Sequence, residues 1–211
     1  KDLNAAVRYQ GGHNAGHTLI INGDKVVFHL LPSAICHQEI KCYLGRGVVV
    51  SLEALFEEID DAKKYLGEVE DRLIVSRACS LIQSYHIKLD QLREKSPVST
   101  TIGTTGRGIG TAYEDRVGRK SIRVQDLYSE TKLKSKLEEN LDLYNFIFTN
   151  YLDDKKEDIN QVFDRNLRQA EILKPYVGNV IASLQDHVSK EEKILFEGAQ
   201  GALLDVSLGT Y

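Results

Sequence analysis

The chain has 211 residues, 42% of them hydrophobic and 27% charged, with a net charge of −4. That balance fits a globular protein with one substantial core, or a core plus a small lobe, and excludes a disordered chain. A pI near 5.9 gives no overall drive toward nucleic acid or an anionic membrane, and no apolar run approaches the ~18 residues of a membrane span.

The first residues, Lys-Asp-Leu-Asn-Ala-Ala-Val, lack the basic start and apolar stretch of a secretion signal. Cys36, Cys42 and Cys79 form no CxxC pair, so buried free thiols in a reducing, cytoplasmic setting are expected, and no zinc site. The sequence has no Met and ends on Gly209-Thr210-Tyr211, so both ends read as cut from a longer chain.

In chain order, residues 7–9 read as the end of a strand entering a glycine-rich loop, "QGGHNAGHT", at 10–18. Residues 18–21 and 26–31 are β-branched and apolar around Asn22-Gly23, a strong hairpin signal. Residues 48–50 read as a short strand after a Gly45-Arg46-Gly47 turn. A helix capped by Ser51 follows, with Leu52, Leu55, Phe56 and Ile59 on one face. Residues 73–75 suggest a strand and 85–95 a helix, before a second glycine-rich loop, "TIGTTGRGIGT", at 101–111. The stretch 129–188 reads as mostly helical, with Leu133, Leu137, Leu141 and Tyr144 sharing a face, as do Ile159, Val162 and Phe163. Residues 194–196 read as a buried strand entering "EGAQGALLD" at 197–205. No repeat or linker divides the chain. Strands alternating with helices, with glycine loops at strand ends, predict an α/β fold with ligands at the carboxyl edge of the sheet.

Three stretches carry candidate chemistry. In the first loop His13 and His17 are four apart, but the glycines disfavour a helix and no Glu follows His13, so a zinc pair is disfavoured. A histidine among glycine N–H groups suits phosphoryl transfer better, where charge develops on oxygen. The second loop has Gly103-x4-Gly108 spacing but Ile109-Gly110 where a phosphate-loop Lys-Ser/Thr would stand. Its glycines, Thr104, Thr105 and Arg107 could hold an anion, or form a mobile surface loop. Arg116, Arg119, Lys120 and Arg123 fall at helical spacing, as a phosphate clamp or a solvated face. Glu197, Gln200 and Asp205 follow the last strand, where polar groups meet ligands or cap a helix.

Taken together, "VRYQGGHNAGHTLIINGDKVVFHLLPS", "STTIGTTGRGIGTAYEDRVGRKSIRVQDL" and "ILFEGAQGALLDVSLGTY" resemble the adenylosuccinate synthetases from end to end. The resemblance implies a P-loop-NTPase-like mixed sheet with flanking helices and a helical insertion near 129–188, incomplete in this chain, within one partial domain spanning 1–211. It implies GTP-dependent ligation of IMP and L-aspartate through 6-phosphoryl-IMP in purine nucleotide biosynthesis, with Mg2+ as cofactor and GTP as co-substrate. His17 would be the catalytic histidine. Gly16, His17 and Thr18 would face the GTP phosphates, and the Gly16 carbonyl would help hold Mg2+. Asn14, Thr104, Thr105, Arg119 and Gln200 would bind IMP, with Arg119 reaching the neighbouring site of a cytoplasmic homodimer. Neither nucleic acid nor a membrane is an expected partner.

The family's Gly-Asp-Glu-Gly-Lys-Gly-Lys loop, with its aspartate base, and its later aspartate- and guanine-binding motifs are not among these residues. The expectation is therefore a chain not competent alone; the alternative is a non-catalytic remnant that keeps IMP-binding or dimerisation surfaces. Thr111 stands where the family has Pro, Arg46 where it has Asn, Ala34 where it has Gly, and Ser207-Leu208 replaces Asp-His.

Overall fold

The computed structural model describes residues 2–95, 103–205 and 209–210. Its strands and helices run β1 (Ala5–Gly11), β2 (His17–Ile21), β3 (Asp24–Phe28), β4 (Lys41–Val50), α1 (Leu52–Leu66), β5 (Leu73–Ser76), β6 (Ser80–Leu81), α2 (Ser84–Lys95), α3 (Ile109–Val117), α4 (Glu130–Asn150), α5 (Ile159–Leu173), β7 (Val177–Gly178), α6 (Val180–Ser189) and β8 (Ile194–Glu197). They fall into two compact units, one of residues up to 79 together with those from 175, the other of residues 80–174.

The first unit is α/β, as the alternating pattern predicts. Strands β7-β5-β4-β1-β8 lie in that order, parallel at every step of the path, and β2 and β3 form a separate antiparallel pair. Ala5, Ala6 and Val7 in β1 and Cys42, Tyr43 and Leu44 in β4 are all buried, the continuous apolar runs expected of strands covered on both faces. Ala5, Val7 and Tyr43 pack with Val180 of α6. Ser51 caps α1 as its sequence predicts, accepting from the Ala54 amide at 3.4 Å, and Leu52, Leu55 and Ile59 are buried. The β2–β3 turn has Asn22 at φ 54° and Gly23 at φ 94°, the two left-handed positions a tight hairpin turn requires.

Three expectations for this unit need correction. Residues 48–50 are the end of one ten-residue strand, β4, rather than a strand after a turn. Gly45-Arg46-Gly47 is a bulge within it: Arg8 of β1 pairs with Leu44, but Gln10 pairs with Gly47. Glycine suits position 47 because a Cβ there would lie 2.0 Å from the Tyr9 carbonyl oxygen. The second hairpin strand stops at Phe28 instead of running to Leu31, because the amides of His29, Leu30 and Leu31 donate to the Glu58 carboxylate at 2.7–3.1 Å. Lastly, β8 forms as predicted but is not buried. It ends the strand path, and Leu195 and Phe196 are 45% and 61% exposed.

The second unit is mainly helical. Leu133, Leu137, Leu141 and Tyr144 are buried along α4, and in α5 Val162 is buried while Ile159 and Phe163 are half-buried. The basic residues from 116 to 123 do not share one helix face. Helix α3 ends at Val117, and Arg119 turns the chain at φ 62°. Beneath that turn lies a buried polar network. The Gln83 amide donates to His86 Nδ1 (3.0 Å), which leaves the proton on Nε2 to donate to Asp115 Oδ2 (2.9 Å). Burial lowers the His86 pKa and keeps the ring neutral. The other Asp115 oxygen accepts from the Tyr144 hydroxyl at 2.9 Å and faces Lys120 Nζ at 3.2 Å.

Candidate functional site

Because β1 and β8 run parallel, the loops that leave them emerge side by side at the carboxyl edge of the sheet. Gly11 marks their contact. Its φ is +82°, and a Cβ there would lie 2.1 Å from Ala199 Cβ and 3.2 Å from Gln200 Oε1. A side chain at 11 would drive the two loops apart.

Under these loops lies a buried ion pair. Arg8, 1% exposed, donates from Nη1 to Glu197 Oε1 at 3.0 Å and from Nη2 to the Gly12 carbonyl at 3.2 Å. The second Glu197 oxygen accepts from the Ser33 amide at 2.9 Å. Glu197 thus ties β1, the first loop and the segment after β3 to one carboxylate. It caps no helix; the short 3-10 turn at Ala202–Leu204 begins at Gly201 with no side-chain cap.

His17 opens β2, opposite Phe28, with its ring edge toward that phenyl at 6.5 Å between centroids. Burial lowers its pKa, opposed by the Glu197 and Glu58 carboxylates and aided by the Arg8 charge, so the imidazole is neutral near pH 7. His17 Nε2 and Asn14 Oδ1 are buried atoms with no hydrogen-bond partner among the described residues. Buried polar atoms are costly when unpaired, so two of them on one loop mark a surface built to meet a polar ligand. Gly16, between them, is exposed; a Cβ there would strike Val27 Cγ1 at 2.8 Å and His29 Nε2 at 2.9 Å. Only glycine lets the loop lie this close to the hairpin.

In the first unit, Gly11 sets the first loop against Ala199 and Gln200, Gly16 lies against Val27 and His29 of the hairpin segment, and His17 and Thr18 open β2. Thr104, Thr105 and Arg119 belong to the helical unit. There all three are exposed, and Thr104 donates to Asp90 Oδ1 at 2.8 Å.

The family model for adenylosuccinate synthetase matches residues 1–211. The chain belongs to the adenylosuccinate synthetase family. It is 50% identical over 205 residues to adenylosuccinate synthetase 1 of Burkholderia lata, covering 97% of this chain and 46% of that protein. It is 48% identical over 211 residues to the adenylosuccinate synthetase of Xylella fastidiosa, covering 100% and 49%. A structure described as fully ligated adenylosuccinate synthetase from Plasmodium falciparum superposes with a TM-score of 0.87 at 28% identity, over 99% of this chain and 48% of that one. The chain spans about half the length of the adenylosuccinate synthetases it matches.

Of the positions that depart from the adenylosuccinate synthetase pattern, Arg46 is exposed on the β4 bulge, and Ala34 is buried in the 3-10 turn Ser33–Cys36. Thr111 is buried in α3, its hydroxyl donating to the carbonyls of His86 at 2.9 Å or Gly108 at 3.1 Å. Ser207-Leu208 lies outside the described residues. A Mg2+ ion takes oxygen donors, keeps several waters and binds largely through substrate phosphates, so a backbone carbonyl at exposed Gly16 fits its habits. Among the described residues no group of three or more His, Cys, Asp or Glu could hold a metal. Cys42 and Cys79 are buried as expected and Cys36 is half-buried, and burial pushes the Cys42 thiol up to about 12. No helix among the described residues is long and apolar enough to cross a membrane.

Arg8, Glu58 and Asp90 were not legible as site residues. An arginine inside an apolar strand, and single acids on helices, give no local signal, since each acquires its role from a partner distant in sequence.

Proposed function

We propose that the protein containing this chain ligates IMP and L-aspartate to adenylosuccinate, with GTP converted to GDP and phosphate, in purine nucleotide biosynthesis. The observation that carries this reading is the pair of unpartnered buried atoms, Asn14 Oδ1 and His17 Nε2, on a loop seated against Ala199 and Gln200.

The chemistry follows from the weak leaving ability of a carbonyl oxygen. A base removes the N1 proton of IMP, O6 attacks the γ-phosphorus of GTP, and the bond to the β-phosphate oxygen breaks to release GDP. The L-aspartate amine then attacks C6, the C6–O6 bond breaks, and O6 leaves within inorganic phosphate as the amine loses a proton. The family's base, an aspartate, is not among these residues. What this chain contributes is a neutral imidazole at His17 that donates an N–H to phosphoryl oxygens as charge grows on them. Asn14 and Gln200 orient the purine nucleotide, and the Arg8–Glu197 pair keeps the two loops in register. The Gly16 carbonyl would help hold Mg2+, which would supply charge neutralisation on the GTP oxygens. Arg119, exposed on its left-handed turn, serves the IMP phosphate of a neighbouring subunit in a cytoplasmic homodimer.

The full-length protein is expected to form adenylosuccinate from IMP, L-aspartate and GTP with Mg2+, measured by chromatography, and to form none when GTP or Mg2+ is omitted. Binding of IMP without any product under complete conditions would instead identify a non-catalytic remnant.

A further inference from the structure

Three amides of the glycine-rich loop in the helical unit donate to side chains, and the Gly108 bond among them is buried. Gly103 N–H donates to Glu94 Oε2 at 3.3 Å, Gly106 N–H to Thr104 Oγ1 at 3.3 Å, and Gly108 N–H to Asp90 Oδ2 at 2.8 Å. Thr104 in turn gives its single hydroxyl proton to Asp90 Oδ1 at 2.8 Å. Asp90, a buried carboxylate on α2, thus gathers a hydroxyl and an amide as a bound anion would. Gly108 sits at φ +74°, where a Cβ would lie 2.7 Å from the Ile87 amide nitrogen, so α2 is the surface on which the loop is formed.

We propose that Asp90 is a positioning residue for phosphate recognition, its carboxylate fixing Thr104 and Gly108 so that the loop presents Thr105 to the phosphate of the substrate. This deepens the IMP reading above and rests on it. The two threonines, equivalent by sequence and both exposed, are divided by their hydrogen bonds: the Thr104 hydroxyl is committed to Asp90 and to the Gly106 amide.

The test is steady-state kinetics of the full-length protein with Asp90→Ala, Thr104→Val, Thr104→Ser and the Asp90→Ala/Thr104→Val pair. Losing a hydrogen bond to a charged group is expected to raise KM for IMP about tenfold in Asp90→Ala and Thr104→Val, with kcat changed by less than about threefold. The double variant is expected to be no worse than Asp90→Ala, and Thr104→Ser to stay near wild type. Were Thr104 itself the phosphate ligand, Asp90→Ala would free its hydroxyl and lower KM; a lowered or unchanged KM, or additive effects, overturns the proposal. If Asp90→Ala does not fold, Asp90→Asn, which keeps the side chain's shape but loses its charge and one acceptor, is read by the same criterion. If the wild-type protein does not use IMP, the functional reading fails, and amide exchange judges the clamp separately. Slow exchange at Gly108 in wild type and fast exchange in Asp90→Ala support it; fast exchange in wild type overturns it.

Discussion

Replacing His17 by alanine in the full-length protein is expected to lower kcat by about 10²–10³-fold, the cost of removing one preorganised donor to a developing oxyanion. The KM for IMP is expected to stay within about threefold, because an interaction made mainly in the transition state lowers kcat and kcat/KM together. Two features set this expectation. His17 Nε2 is buried without a partner among the described residues, so that nitrogen gives up no bond to the described residues when it meets a phosphoryl oxygen. Burial also keeps the ring neutral, so the residue acts as a fixed dipole rather than a screened surface charge. An unchanged kcat would remove His17 from the chemistry, while a large rise in KM at constant kcat would make it a ground-state binding group.

The second large effect is on stability. Glu197→Ala leaves the Arg8 guanidinium buried without its carboxylate and strips the Ser33 amide of its acceptor. Breaking one side of a buried pair typically costs about 3–5 kcal/mol, and the lower part of that range is expected because the Glu197 side chain is 16% exposed. The measurement is the urea midpoint of the full-length protein, supported by a fall in thermal midpoint. An Arg8→Met/Glu197→Leu variant is expected to recover most of the stability but not the activity, since it buries no lone charge yet no longer holds the Gly12 carbonyl. Loss in the double variant as large as in Glu197→Ala would mean that the carboxylate's bond to Ser33, not the lone arginine, dominates.

Elements with local signals were readable from sequence. Asn22-Gly23 fixed the hairpin, Ser51 the start of α1, and the spacing from Leu133 to Tyr144 the buried face of α4. Features that depend on a distant partner were misread. Gly45-Arg46-Gly47 resembles a turn, and only the register against Arg8 and Gln10 makes it a bulge within β4. Ile194–Phe196 has the composition of a core strand, yet within this span, about half the length of its relatives, β8 ends the path and Leu195 and Phe196 are exposed. The basic run from Arg116 keeps helical spacing in sequence, yet Gly118 and the left-handed Arg119 end the helix within it. The site shows the same division. His17 and Asn14 stand in a recognisable loop, whereas Arg8 and Asp90 look like a strand residue and a helix-surface acid until their partners are known.

The most direct test of phosphoryl transfer to IMP is the fate of its C6 oxygen. With IMP labelled by 18O at that position, the full-length protein, GTP, Mg2+ and L-aspartate, the label is expected to appear in inorganic phosphate in step with adenylosuccinate, read by mass spectrometry. Adenylosuccinate formed with unlabelled phosphate would contradict the account, because the oxygen would then have left C6 without being phosphorylated.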